Sequence, residues 1–221
     1  MIALIDVEKR YPGRPAGTVA LSGINLAIGS GDFVSIMGPT GSGKSTLLAL
    51  LGLIDAPTAG TVEVEGLPVS AYSDGELSAL RNRMFGFAFQ RGHLIAELPA
   101  VDNVELPLLC RRMTGRERRR LALAALERVN LAPRAQHLPY QLSGGERHRV
   151  ALARAIAGCP LVLLADEPAD SLDPETADEV MGLLVSLNQD ELTTVVMITH
   201  DPRHAARGRR VVRLLGGRQI G

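Results

Sequence analysis

Residues 33–54 read FVSIMGPTGSGKSTLLALLGLI, and the fold of the chain turns on this stretch. Phe33–Met37 is a short, continuous apolar run, as expected of a strand buried on both faces. Gly38, Pro39, Thr40, Gly41, Ser42, Gly43, Lys44 and Ser45 follow in the spacing G-x-x-x-x-G-K-[S/T]. From Thr46 the pattern turns to that of an apolar helix. Each part has a job. The glycines let successive amides turn inward around phosphate oxygens, and the helix start adds its positive end. Lys44 has the reach for β- and γ-phosphates, and the Ser45 hydroxyl suits Mg²⁺. Strand, glycine loop and helix together predict a nucleoside triphosphate site.

Outward from this loop, Leu161–Ala165, Thr194–Thr199 and Val211–Leu215 repeat the buried-strand pattern. Helical signals separate them. Thr114 and Glu117 form a capping box before a helix expected over 116–129, and Ser73 with Glu76 repeats the pattern. Asp173-Pro174-Glu175 reads as an N-cap, a first-position proline and a first-turn acid. Buried strands alternating with helices imply an α/β class with a parallel core sheet. The N-terminal third differs: Ile2–Glu8, Val19–Ile28 and Thr61–Val64 alternate between turn residues and predict antiparallel strands. Residues 94–157 read as largely helical and arginine-rich.

The whole chain has 221 residues, with 24 basic and 24 acidic side chains and 46% hydrophobic residues. That composition supports a sizeable core and excludes bulk disorder. Neutral net charge argues against a nucleic-acid partner, since such partners select a basic footprint. Only Lys9 and Lys44 are lysines, against 22 arginines, so each lysine merits inspection. The block Arg111–Arg120 reads as a solvated helix face, and it carries no aromatic residue on which a base could stack. Cys110 and Cys159 suit neither a zinc site nor a disulfide framework and read as reduced thiols. The N-terminus lacks a signal-peptide pattern, and no apolar run nears the roughly 20 residues of a spanning helix.

Two further motifs carry chemistry. Leu161–Glu167 is a buried strand ending in two carboxylates, Asp166 and Glu167, and strand C-termini are where ligands sit in such sheets. Asp166 suits a metal, and Glu167 suits the orientation of an attacking water. Leu142-Ser143-Gly144-Gly145-Glu146 opens a helix with a capping box of its own, so Ser143, Gly144 and Gly145 mark a second anion site.

LSGGE, about twenty residues before a strand ending in Asp-Glu, resembles the signature of the ATP-binding-cassette (ABC) ATPases. The remaining motifs of that family occur in order. Tyr11 stands where an adenine-stacking aromatic is expected; alone such a tyrosine is more often packing, and its position in the family pattern carries the assignment. Gln90 closes FGFAFQ as the glutamine loop, Ser171-Leu172-Asp173 resembles the loop after the acidic strand, and His200 follows its strand as the switch histidine. The resemblance implies a P-loop NTPase fold with an N-terminal antiparallel β subdomain and an inserted α-helical subdomain. It also implies one domain over 1–221, with a nucleotide-binding core at about 1–90 and 158–221 and a helical signature subdomain at about 91–157. Bound ATP would lie along 38–46 and against Tyr11 and Asp173, with Mg²⁺ on Ser45, Gln90 and Asp166. Lys44, Gln90, Glu167 and His200 would serve hydrolysis. Ser143, Gly144 and Gly145 would complete the site of a partner in a head-to-tail homodimer.

Residues 85–113 resemble the lipoprotein-release and macrolide-efflux branch, most of all over 101–107. That implies a permease subunit, export or lipoprotein extraction, and a peripheral place on the cytoplasmic face of the inner membrane. Two competing classes fit less well. Cassettes that act on DNA or ribosomes carry coiled coils, zinc modules or two cassettes, and regulatory cassettes lose the equivalents of Glu167 or His200. Two departures stand out: Ala169-Asp170-Ser171 adds a carboxylate near the expected dimer seam, and Arg147-His148 replaces a commoner glutamine pair.

Overall fold

The structure, a computed structural model, describes residues 1–12, 18–89, 93–170 and 172–220. Its elements begin with β1 (Ile2–Tyr11), β2 (Thr18–Ile28), β3 (Phe33–Met37), α1 (Lys44–Leu51), β4 (Ala59–Val64), β5 (Leu67–Pro68) and α2 (Asp74–Met84). There follow β6 (Phe85–Ala88), α3 (Ala100–Glu105), α4 (Gly115–Arg128), α5 (Gly144–Ile156), β7 (Val162–Asp166) and α6 (Pro174–Gln189). The last are β8 (Thr194–Ile198), α7 (Pro202–Ala205), β9 (Arg210–Leu215) and β10 (Arg218–Ile220). Two compact units result, one of Met1–Arg81 with Val196–Gly221 and one of Asn82–Val195.

In the first unit, β2-β1-β4-β5 form an antiparallel sheet, as the alternating N-terminal pattern predicts. Ile2 lies opposite both Ile28 and Val64, and all three are buried. β3 pairs in parallel with β9 from Val34↔Arg210 to Met37↔Arg213, and β10 returns antiparallel to β9. The Thr199 amide donates to the Ile36 carbonyl (3.2 Å), so the chain leaving β8 runs beside the end of β3. Val211–Leu215 departs from the expected two-sided burial. Val212 and Leu214 are buried while Arg213 and Leu215 are exposed, a strand with one wet face.

The helix after the glycine loop is shorter than its apolar run suggests. α1 stops at Leu51, Gly52 caps it, and Leu53 takes φ +56° while the Ile54 amide turns back to Ala49 O (2.9 Å). Leu47, Leu50 and Leu51 are completely buried, each stabilising the unit by about 1.5–3 kcal/mol.

The second unit is built on β6 and β7, parallel from Phe85↔Val162 to Ala88↔Ala165. The segment expected to be largely helical holds three α-helices and three short 3-10 helices (Leu106–Leu108, Ala132–Arg134 and Pro139–Gln141), joined by turns such as that over 95–99. Asn103 explains that turn. Its buried side chain accepts from Ile95 N (2.7 Å) and donates to the carbonyls of Ile95 and Leu98 (3.1 and 2.8 Å).

The arginine block is only partly a solvated face. Arg112, Arg116 and Arg120 are exposed, but Arg119 pairs with Asp102 and Glu105 (2.8 and 2.7 Å). Arg111 donates to Gly158 O and Asn82 O (both 2.6 Å) and to Asn82 Oδ1 (3.1 Å). Capping boxes at Ser143 and Thr114, and the Asp173 N-cap with Pro174, stand where the sequence predicts them.

Gly86 has a steric reason in this unit. A Cβ there would lie 2.1 Å from Ala155 O and 2.9 Å from Pro160 Cγ, so the α5 backbone rests directly on the strand. Gly86→Ala is expected to destabilise the chain by about 1–3 kcal/mol through overpacking. Urea unfolding monitored by circular dichroism would read this as a lower midpoint with an unchanged slope.

Candidate nucleotide site

The phosphate loop lies in the first unit. Gly41 and Gly43 adopt φ +78° and +97°, conformations open to glycine at little cost. Gly38 and Gly43 are also sterically required, because a Cβ would fall 2.3 Å from Leu214 O at the first and 2.4 Å from Ala20 O at the second. Gly43 caps α1, and the Leu47 amide returns to Gly43 O (2.8 Å). Lys44 Nζ donates to Gly38 O (2.8 Å) and Pro39 O (2.9 Å), which holds the ammonium against the loop. Pro39, Thr40 and Ser45 are exposed, and Thr46 is half-buried. Ser42 Oγ is buried without a hydrogen-bond partner among the described residues. A tight glycine loop at a helix start, an ammonium and a buried unpaired hydroxyl fit a polyphosphate.

Tyr11 ends β1 and is 39% exposed. Its hydroxyl donates to Asp55 Oδ2 (2.8 Å), and the Lys9 ammonium sits 4.9 Å from the ring centroid. Lys9 in turn bonds Asp55 Oδ1 (2.5 Å) and Ala56 O (2.7 Å). Burial pushes the Asp55 carboxyl up, but the bonds from Lys9 and Tyr11 outweigh it and hold the group below its ordinary range. Sequence reasoning missed Asp55, which no pattern marks; for Lys9 the scarcity of lysine was the only signal. His200, also in this unit, is exposed directly after Thr199, at the same end of the strands as Gly38.

The second unit holds the other predicted residues. Asp166 ends β7, and Glu167 follows in the left-handed region (φ +51°), a strain of about 1–2 kcal/mol for a non-glycine residue. The Asp170 amide donates to Glu167 O (3.2 Å), closing a tight turn. Ser143 caps α5, its Oγ accepting from Glu146 N (3.1 Å) and its amide donating to Glu146 Oε2 (2.8 Å). The Ser143 amide and the Arg134 guanidinium hold the Glu146 carboxyl below its ordinary range against the effect of burial. Gly144 and Gly145 supply the first amides of α5, which the helix itself does not use. Asp173 accepts from Thr176 N (3.0 Å), so its carboxylate caps α6. Gln90 and Ser171 lie outside the described residues. A cleft of about 450 Å³ is lined by Phe85, Phe87, Phe89, His93, Arg111 and Arg154, among others.

The sequence profile of the ABC transporter family matches residues 21–170. The chain belongs to the ABC transporter family. It is 47% identical over 220 residues to the macrolide export ATP-binding/permease protein MacB 1/2 of Paracoccus denitrificans, covering 100% of the chain and 33% of that protein. The chain therefore spans about a third of that relative's length. It is 48% identical over 210 residues to the lipoprotein-releasing system ATP-binding protein LolD of Bordetella pertussis, covering 95% of the chain and 91% of LolD. A dimeric, post-hydrolysis structure of the ATP-binding cassette MJ0796 of Methanocaldococcus jannaschii, bound to ADP and Pi, superposes with a TM-score of 0.94. It shares 43% identity and covers 100% of this chain and 97% of that one. The fold is thus that of an ABC ATPase cassette, with its antiparallel β subdomain, parallel strands and helices. No helix among the described residues is long and apolar enough to cross a membrane.

His148, which the sequence left without a role, is half-buried on α5 and hydrogen-bonded to the backbone of Pro168, just after Glu167. Burial pushes its imidazole below the ordinary value, and the Pro168 carbonyl only partly opposes this. The folded state therefore favours neutral His148. That contribution is present above the unfolded value of about 6.5 and is lost as pH falls through the folded one. Replacing His148 by glutamine is expected to flatten the loss of thermal stability below about pH 6.5, as read by melting curves across a pH series.

Proposed function

We propose that the chain is the ATP-hydrolysing cassette of a membrane transport complex of the lipoprotein-release or macrolide-export type. The carrying observation is the pairing of one phosphate loop with a second capped glycine helix start in the same chain. Two anion-binding elements on one nucleotide cassette suit a head-to-tail homodimer in which each chain serves both sites.

In this reading Lys44 and the amides of 38–46 hold the ATP phosphates, and Tyr11 stacks on adenine. Ser45, exposed at the start of α1, and Asp166, at the end of β7, are the proposed Mg²⁺ ligands together with Gln90. The metal, when bound, supplies charge neutralisation at the phosphates. Glu167 orients the attacking water and accepts its proton, and His200 donates to the γ-phosphate. Ser143, Gly144 and Gly145 of the partner complete the phosphate contacts, and Asp173 borders the site while capping α6. Hydrolysis works through the different affinity of closed and open dimers for the nucleotide.

The permease is proposed to seat a cytoplasmic helix in the cleft beside Phe89 and His93, the residues that flank the glutamine loop in sequence. Membrane attachment at the cytoplasmic face of the inner membrane then comes from that subunit. No part of this reading calls for a nucleic-acid partner.

The deciding experiment uses Glu167→Gln. Turnover should fall by about 10²- to 10⁴-fold while ATP is still bound, and gel filtration with ATP should show a stable dimer. Hydrolysis at the unmodified rate would remove Glu167 from this role. Lys44→Ala should weaken nucleotide binding by about 10- to 100-fold in calorimetry, the loss of a charge-assisted contact. Purifying the Glu167→Gln chain with ATP from detergent-solubilised membranes should also recover the permease; a solely soluble dimer would defeat the transport assignment.

A further inference from the structure

We infer that Lys9 and Asp55 are positioning residues that pin the ring of Tyr11 for base stacking, and so set how much of the ATP affinity comes from the adenine. The inference rests on the proposed role of Tyr11 in stacking.

Lys9 and Tyr11 are two apart on β1, the spacing that turns two side chains to one face of a strand. β1 is irregular here, with register shifts against β2 between Val7 and Lys9 and again between Lys9 and Arg10. Such bulges re-aim side chains. The Lys9 side chain is only 12% exposed, so its charge is poorly screened where it faces the ring and Asp55. Asp55 divides its oxygens, Oδ1 to the ammonium and Oδ2 to the phenol.

The carboxylate is itself fixed. The Ala56 amide donates to Asp55 Oδ1 (2.8 Å), and the Asp55 amide to Ala49 O (3.3 Å) on α1. One ring face therefore carries a cation, the hydroxyl is tethered, and the edge is tied to the helix that begins at the phosphate loop. A ring held this way loses little freedom when a planar base stacks on its other face, and preorganisation of that kind appears as affinity.

A purely structural reading competes: the ion pair simply ties β1 to the turn after α1. The two differ in what the base contributes. Pinning acts only on ligands that carry a base, whereas a loosened fold weakens every phosphate ligand alike. The test therefore compares the KM for ATP with the inhibition constant of Mg²⁺-tripolyphosphate, which has no base, on the full chain.

Lys9→Met, the isosteric Asp55→Asn and Tyr11→Phe are each expected to raise the KM for ATP about two- to tenfold. The tripolyphosphate constant should move by less than about twofold. Lys9→Arg, which keeps the cation, should restore most of the loss. A parallel weakening of tripolyphosphate would overturn the inference in favour of scaffolding. Tyr11→Ala separates the two levels. If it changes the ATP-to-tripolyphosphate ratio and Lys9→Met does not, the positioning role alone fails. If Tyr11→Ala leaves the ratio unchanged, the stacking reading fails and this inference with it.

Discussion

Everything in the nucleotide site depends on how closely three pieces of backbone approach one another. The phosphate loop can take its shape only because nothing projects from Gly38 or Gly43, where the carbonyls of Leu214 and Ala20 already occupy the space a Cβ would need. Leu214 belongs to β9 and Ala20 to β2, so the loop is wedged between a strand of the antiparallel sheet and one near the end of the chain. The Gly217 amide closes the arrangement by donating to Ser42 O (3.2 Å), and Ser22 N donates to Gly217 O (2.8 Å). The apolar burial of α1 and β3 fixes where the loop starts and ends; these backbone contacts fix its shape.

The same economy appears in the second unit. Gly86 lets α5 rest on β6, and Asn103 satisfies a turn that would otherwise bury bare backbone groups. Arg111 does similar work for Asn82 and Gly158. A half-buried guanidinium with three acceptors is a structural strut, which is why a block of like charge does not behave as one solvated surface.

Much of this was legible in the sequence because it rests on local physics. The glycine loop, the capping boxes at Ser143 and Thr114, the Asp173 cap and the alternating N-terminal strands all follow from residues within a few positions of one another. β6 escaped that reading: four residues with a glycine among them carry no periodic signal, and only pairing with β7 makes them a strand. The early end of α1 escaped because leucine and isoleucine suit a turn packed on a core as well as a helix. Val211–Leu215 misled because hydropathy cannot tell an outer strand with one wet face from a central one. The Lys9–Asp55–Tyr11 cluster joins positions more than forty residues apart, so no motif could announce it. His148 lacked any signal beyond its departure from the family's glutamine, and its environment emerges only when α5 meets the turn after β7.

The Leu214 and Gly217 contacts also bear on how the chain is made. Translation delivers the phosphate loop well before β9, with β1 and β2 already available to fold around it. The carbonyl wall against Gly38 and the amide that holds Ser42 arrive only with β9 and the turn that follows it. A ribosome-bound chain can thus assemble its antiparallel sheet while its grip on triphosphate stays unfinished. The loop that cradles the phosphates is therefore complete only once β9 and the turn after it have been made.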